Sequence, residues 1–83
     1  EAWLLSATLS RRMGDLAAAQ QQIERAAILR PSGPEIGLEA GVIAALAGRD
    51  DAALRSWRSV LQSAPGTPAA LTAADYIAQL QGP

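Results

Sequence analysis

Apolar side chains recur every three or four residues along most of the chain, and this spacing places them on one face of a helix. One segment has arginines and serines between its apolar residues, which are Leu54, Trp57, Val60 and Leu61. Similar patterns occur in four other segments. Together they predict five helices, at about 1–13, 15–30, 34–47, 50–64 and 68–81.

Glycine and proline separate these segments. The sequences PSGP at 31–34 and PGTP at 65–68 contain prolines that end one helix and suit the first position of the next. Gly14 and Gly48 mark two shorter turns. Because all the connections are short, neighbouring helices are expected to be antiparallel, and the predicted fold class is all-α.

Residues that favour the N-cap position stand before the predicted helices. Acidic caps would also complement the positive ends of the helices that they precede. The candidates are Asp15 for the second helix, Ser32 or Gly33 for the third, Asp50 or Asp51 for the fourth and Thr67 for the last.

The composition is typical of one small helical domain covering residues 1–83. Of the 83 residues, 49% are hydrophobic and 4% aromatic, and alanine accounts for much of the apolar fraction. Alanine favours closely packed helices, although a core is marginal at this length.

No apolar run approaches the ~20 residues of a membrane span. Since the chain starts at Glu1, without an initiator Met or a signal peptide, we expect a fragment of a longer protein, and its compartment, cytoplasmic or periplasmic, stays open.

The charged and nucleophilic residues exclude several classes of function. The chain has no His and no Cys, so the usual catalytic triads and metal-ligand sets cannot be assembled. Its seven basic residues are scattered among eight acidic ones, which is not the basic stripe of a nucleic-acid-binding protein. The paired carboxylates Glu35 and Glu39, or Asp50 and Asp51, fall short of the ~6–8 oxygens that Ca²⁺ takes. We therefore expect no enzyme, no cofactor, no metal and no nucleic-acid partner.

The sequence repeats itself at the spacing that separates Gly14 from Gly48, which we call the repeat step. At the same step small residues align with small ones and large with large. The further pairs are Ala7 with Gly41, Ala19 with Ala53, Ile23 with Trp57, Ala26 with Val60 and Pro31 with Pro65.

A helix–turn–helix unit that recurs about every 34 residues is the signature of the tetratricopeptide repeat family, which this chain resembles. Residues 1–33 resemble one repeat, residues 34–67 a second, and residues 68–83 a further first helix, so the resemblance covers the whole chain. It implies a right-handed superhelical stack of antiparallel helix pairs that acts as a scaffold for protein–protein interaction. The alanine-rich composition is similar to that of bacterial members.

Two departures from the family pattern change the expected packing. Gly37 stands where the family has an aromatic residue, and we expect the bulky Trp57 to fill the space that Gly37 and Gly41 leave open. Asp75 stands where the family has a small buried residue, which favours a terminal capping helix with a wet outer side over 68–81. Gly82, one repeat step after Gly48, instead favours the start of another turn.

In this family the first helices of successive repeats line a concave groove that binds a partner protein. Transferred residue by residue, the resemblance implies a mostly apolar groove lined by Leu5, Thr8, Arg12, Leu38, Glu39, Val42, Ala45, Leu46, Ala73, Tyr76 and Leu80. Such a groove suits an amphipathic helix or an extended hydrophobic peptide, with Arg12 and Glu39 as isolated charges. Each leucine fits a core position equally well, and Tyr76 fits either an interface anchor or a packing role.

Some members of the family clamp a partner's C-terminal carboxylate with Lys and Asn side chains, which this chain lacks. Arg11 and Arg12 either substitute for that clamp or complement the negative C-terminal end of the first helix.

Trp3, Leu4 and Leu5 form an apolar stretch near the start of the chain. Such a surface is rarely left bare. We expect either upstream repeats to cover it or a second copy to pair with it, which would make the chain a self-association domain. A regulatory or envelope-assembly appendage of a larger protein is a further alternative.

Overall fold

The computed structural model describes residues 2–31 and 33–82, and this part of the chain forms five α-helices and no strand. The helices are α1 Ala2–Arg12, α2 Leu16–Leu29, α3 Pro34–Leu46, α4 Asp50–Ser63 and α5 Pro68–Gln81. The all-α class and the five helices are confirmed, and the ends lie within one residue of those that the periodicity predicts. The parts of the predictions that concern Glu1, Ser32 and Pro83 lie outside the described residues.

The two glycine turns have the same geometry, one repeat step apart. Gly14 and Gly48 have φ of 83° and 79°, a left-handed conformation that costs glycine little. The amide that follows each glycine donates back over five residues, from Asp15 to Ser10 at 2.9 Å and from Arg49 to Ala44 at 2.8 Å. This is the hydrogen bond of a Schellman motif, so each helix ends in the same way and reverses the chain.

The helix caps agree with the sequence at three positions and differ at one. Asp15 accepts a hydrogen bond from the amide of Ala18 at 3.1 Å, Thr67 accepts one from Ala70, and Gly33 occupies the N-cap of α3. The prediction that Asp50 or Asp51 caps α4 is wrong.

The N-cap of α4 is Arg49, which makes no side-chain capping bond. Arg49 lies one repeat step after Asp15 and occupies the corresponding N-cap position. Asp50 and Asp51 follow it and therefore fall inside the first helical turn. There they complement the positive helix end without capping it.

The third helix, α3, is the centre of the molecule. It contacts every other helix, while α1 contacts only α2 and α3, and α5 contacts only α3 and α4. The helices α1, α3 and α5 therefore lie side by side, with α2 and α4 behind the gaps between them. The radius of gyration is 11.7 Å, close to the ~12 Å expected for a compact domain of this length.

The core consists of two apolar clusters, and α3 contributes to both. The first joins α1, α2 and α3 through Ala7, Ala19, Ile23, Ala26, Ile36 and Ile43. The second joins α3, α4 and α5 through Ala44, Ala53, Trp57, Val60 and Ala73. Alanine is the commonest residue in this core, and its short side chain allows the helices to approach closely.

The glycines of α3 make room for side chains of α4, in a way that only partly matches the sequence expectation. A Cβ atom on Gly41 would lie 2.1 Å from Nε1 of Trp57, so the indole fills the space beside Gly41 as predicted. A Cβ atom on Gly37 would instead meet Cγ2 of Val60 at 2.6 Å, and Trp57 is not among its nearest neighbours. Gly37 therefore accommodates Val60, which lies almost one helical turn further along α4.

The outer side of α5 is exposed, in agreement with the wet face that Asp75 indicates. Asp75, Leu71, Ala74 and Ala78 are all exposed, and Leu71 keeps about two thirds of its surface in solvent. Gly82 follows α5 with a φ of 76°, a positive value like those of the glycines in the two turns.

Candidate functional site

The side-by-side arrangement of α1, α3 and α5 creates two adjoining depressions on one surface. The first, which we call the apolar groove, runs between α3 and α5 and has a volume of about 330 Å³. Its lining consists mainly of Val42, Ala45, Leu46, Tyr76 and Leu80, with Trp57 reaching it from α4. Gln79 completes the lining.

Trp57 supports the apolar groove from below. Only 3% of its surface is exposed, and its Nε1 donates a hydrogen bond to the carbonyl of Leu38 at 3.2 Å. Its ring packs against Tyr76 with the centroids 5.3 Å apart and the planes tilted by 47°. Since a tilted aromatic pair and a satisfied indole N–H both restrict rotation, the two rings hold the groove wall in one conformation.

The second depression, which we call the charged depression, lies between α1 and α3 and has a volume of about 250 Å³. It shares Val42 and Tyr76 with the apolar groove, so the two form one continuous surface. Its other lining residues are Leu4, Thr8, Arg11, Glu35, Leu38 and Glu39.

Glu39 is the centre of a small polar network in the charged depression. Thr8 donates to its Oε1 at 2.9 Å, and Nη2 of Arg11 donates to the same oxygen at 3.2 Å. Nε of Arg11 forms an ion pair with Oε2 of Glu39. The guanidinium therefore binds both carboxylate oxygens, the two-pronged geometry that makes such pairs strong.

The pair raises the pKa of Arg11 above its ordinary value. The main cause is the hydrogen bond to Glu39; partial burial opposes it, and the negative charge of Glu39 adds to it. A raised pKa means that the stabilisation is complete at any pH below the ordinary pKa of an arginine and is lost only as pH rises through the raised pKa. Arg11 therefore stays charged and paired at any pH near neutrality.

The structure brings most of the predicted groove residues together. Val42, Ala45, Leu46, Tyr76 and Leu80 line the apolar groove, while Thr8, Leu38 and Glu39 line the charged depression.

Three of the predicted groove residues lie elsewhere. Leu5 and Arg12 line neither depression, and Ala73 is fully buried in the core. The arginine that lines the charged depression is Arg11 rather than Arg12, because Arg11 faces Glu39. The expectation that Glu39 is an isolated charge is wrong for the same reason.

Two residues that line this surface, Trp57 and Arg11, were not among the groove residues predicted from the sequence. The resemblance places groove residues on the first helix of each repeat and so omits Trp57, which lies on the second helix of its pair. The signal that could have found it was Gly41, whose missing side chain leaves the indole within reach of the surface. No signal in the sequence distinguishes Arg11 from its neighbour Arg12, because the contact with Glu39 joins two helices.

The predicted self-association stretch is divided among three environments. Leu4 packs against the first core cluster. Trp3 lies against α2, with the guanidinium of Arg25 5.9 Å from its ring centroid. Leu5 is 62% exposed on another face of α1. The three consecutive residues therefore do not form one surface.

Within residues 2–31 and 33–82, no three His, Cys, Asp or Glu side chains come together in a way that could hold a metal ion. Over the same residues, none of the helices combines the length and the apolar character needed to cross a membrane.

Comparison with known proteins gives no match: no family model, no curated protein and no solved structure is significantly similar to this chain.

Proposed function

We propose that the chain is a protein–protein interaction module of the tetratricopeptide type, which binds a helix or an extended peptide of a partner protein across the apolar groove and the charged depression. The observation that carries the proposal is the apolar groove itself, a concave surface with Tyr76 in its wall and a buried tryptophan behind it. Concave apolar surfaces with aromatic anchors are typical of peptide-binding sites.

The tetratricopeptide-type architecture is part of this proposal. Its support is the recurrence of the same glycine turn after one repeat step and the contact of α1 with α3 and of α3 with α5. Contacts between α1 and α3 and between α3 and α5 are the ones that a stack of helix pairs with a concave side requires.

Binding would proceed by burial of apolar side chains on a preformed surface. Leu46 is more than half exposed at the rim of the apolar groove, and Val42 and Leu80 are half-buried along it. A partner that covers them removes this apolar area from water, at about 25 cal/mol per Å². Arg11 and Glu39 in the adjoining depression are already paired with each other, so the partner need not supply a counterion for Arg11.

Selection of peptides from a random display library on the immobilised chain tests the proposal. We expect the selected peptides to carry two or more large apolar residues at helical or alternating spacing. Leu46→Glu places a charge at the rim of the groove, and it should weaken the binding of these peptides by about tenfold or more, because a bound apolar peptide would cover an unpaired charge. Isothermal titration calorimetry measures the difference.

Leu71→Glu is the matched control. Leu71 is also a highly exposed leucine, but it lies on the outer side of α5 and lines neither depression. It should leave the affinity within about twofold of the parent chain, which is less than about 0.5 kcal/mol. Peptides that bind the Leu46→Glu variant as tightly as the parent would show that the groove is not the binding site.

A further inference from the structure

The side of α1 that faces away from the other helices carries a row of apolar residues, with the exposed Arg12 beside it. Leu5 and Leu9 lie one helical turn apart on it and are 62% and 50% exposed. Met13, which follows the end of α1 by one residue, is 82% exposed and continues the row. We call this surface the free face of α1. Its three residues line neither the apolar groove nor the charged depression.

The positions of α3 and α5 that correspond to Leu5 and Leu9 are shielded from solvent, whereas Ala47 and Gln81, which correspond to Met13, are exposed. Leu9 corresponds to Ile43 and Ile77 at successive repeat steps. Ile43 is fully buried, in one cluster with Ala19, Ile23 and Ala26 of the preceding helix α2. Ile77 is half-buried and packs against the cluster that α3 and α4 form. The molecule thus contains two examples of what covers this face: the preceding helical hairpin.

The two examples differ at the position of Leu5, which corresponds to Glu39 and Ala73. In the joint between α1 and α3, Glu39 meets Thr8 and Arg11. In the joint between α3 and α5, Ala73 is fully buried in an apolar cluster to which Val42 and Ala45 belong.

Val42 and Ala45 lie one repeat step after Thr8 and Arg11. The chain therefore contains one charged joint and one apolar joint. Leu5 is uncharged and its side chain cannot accept a hydrogen bond from an arginine. It therefore suits a contact like the apolar joint.

We propose that the free face of α1 binds a helical hairpin of the same repeat type, with a surface like that of α3 and α4. Such a surface has small or branched apolar side chains where α3 carries Val42 and Ala45. It receives Leu9 with apolar side chains where α4 carries Ala53, Trp57 and Val60. This surface is separate from the apolar groove, and the proposal holds whether or not the groove binds a peptide.

A tandem chain tests this directly. Residues 34–68 placed immediately before residue 1 preserve the repeat step, and so present the α3–α4 hairpin to α1. The chain has no cysteine, so Leu9→Cys introduces a single thiol whose reaction with a disulfide reagent measures exposure of the free face. We expect labelling in the tandem chain to be at least tenfold slower than in the original chain. Leu71→Cys, on the outer side of α5, should react at the same rate in both.

A second tandem chain tests the matching at Leu5. Residues 1–34 placed before residue 1 keep the same step but bring Thr8 and Arg11, instead of Val42 and Ala45, against Leu5. This hairpin should protect Leu9→Cys less than the α3–α4 hairpin does. Equal protection by the two hairpins would overturn the proposed match.

Two other results would overturn the proposal as a whole. One is an unchanged labelling rate in the first tandem chain. The other is protection in the original chain that grows with its concentration, together with a dimer mass by light scattering, since a second copy would then be the occupant. Hydrogen exchange of the α1 amides in the unsubstituted tandem chain gives the same comparison without a cysteine, with slower exchange expected if the hairpin covers the face.

Discussion

Single residues decide how closely the helices approach, and Gly41 is the clearest case. Trp57 is buried and its indole is fixed by the hydrogen bond to Leu38, so it has no freedom to move away from a new Cβ atom. Glycine in the middle of a helix otherwise costs about 1 kcal/mol relative to alanine. The close contact therefore outweighs the helix propensity at this position.

Gly41→Ala should destabilise the chain by about 1–3 kcal/mol, because the added methyl group overpacks the core. Urea unfolding followed by circular dichroism measures the change. In a Trp57→Phe background the ring is smaller, and the cost of Gly41→Ala should shrink. A neutral or stabilising Gly41→Ala substitution, or an equal cost in both backgrounds, would contradict this explanation.

The pair of Arg11 and Glu39 is the second decisive contact at this scale. A double-mutant cycle with Arg11→Met and Glu39→Gln should give a coupling free energy of about 0.5–2 kcal/mol, since both side chains are largely shielded from solvent. Because the pKa of Arg11 is raised, its own titration should add no change in stability between pH 6 and 10. A coupling indistinguishable from zero at low salt would show that the pair is only a surface contact.

At the scale of elements, the two glycine turns are alike except at the cap that follows them. Asp15 caps α2, whereas Arg49 leaves α4 without a side-chain cap and places a positive charge at its positive end. The second turn is therefore the weaker of the two.

Arg49→Asp should stabilise the chain by about 0.5–1 kcal/mol, because it supplies a capping carboxylate and removes the unfavourable charge. Asp15→Ala is the converse change and should cost about 1 kcal/mol. Thermal and urea unfolding of both variants measure these effects. A lower stability of the Arg49→Asp variant would contradict this expectation. It would mean that the Arg49 side chain stabilises the turn by a contact other than a capping hydrogen bond.

The elements themselves could be predicted because their signals are local. Apolar spacing, glycine at the turns and proline at the starts act within a few residues, and the five helices follow from them. The choice between Arg11 and Arg12 could not be made in the same way. Successive residues of a helix point about 100° apart, so the rotation of α1 against α3 decides which arginine reaches Glu39.

The position of Trp57 also depended on contacts between elements. Its place on the second helix of its pair is evident from the sequence, but its contact with the apolar groove requires the close approach of α3 and α4 at Gly41. The clustering of Val42, Leu46 and Tyr76 was expected from the resemblance, and the structure does bring them together. Whether they bind a partner stays a prediction.

For the whole molecule, the shared role of α3 has a consequence for folding. Both core clusters include side chains of α3, so neither cluster can lose its packing without exposing part of this helix. Domains of this size usually unfold in one step, and the arrangement favours that behaviour here.

Urea unfolding of a Trp3→Phe variant tests this cooperativity. Its remaining tryptophan, Trp57, reports on the second cluster by fluorescence, while far-ultraviolet circular dichroism reports on all five helices. The two transitions should have the same midpoint and the same slope. A fluorescence transition separated from the dichroism transition would mean that the α1–α2 and α4–α5 halves unfold independently.

The contact between Trp57 and Tyr76 also gives the molecule an optical property. Tyr76 is the only tyrosine of the chain, and its ring centroid lies 5.3 Å from that of Trp57. At that separation the excitation of a tyrosine passes to the indole by resonance energy transfer. The folded chain should therefore emit almost no tyrosine fluorescence, and unfolding, which moves the two rings far apart, should restore it, so the folding of the groove wall can be followed without a label.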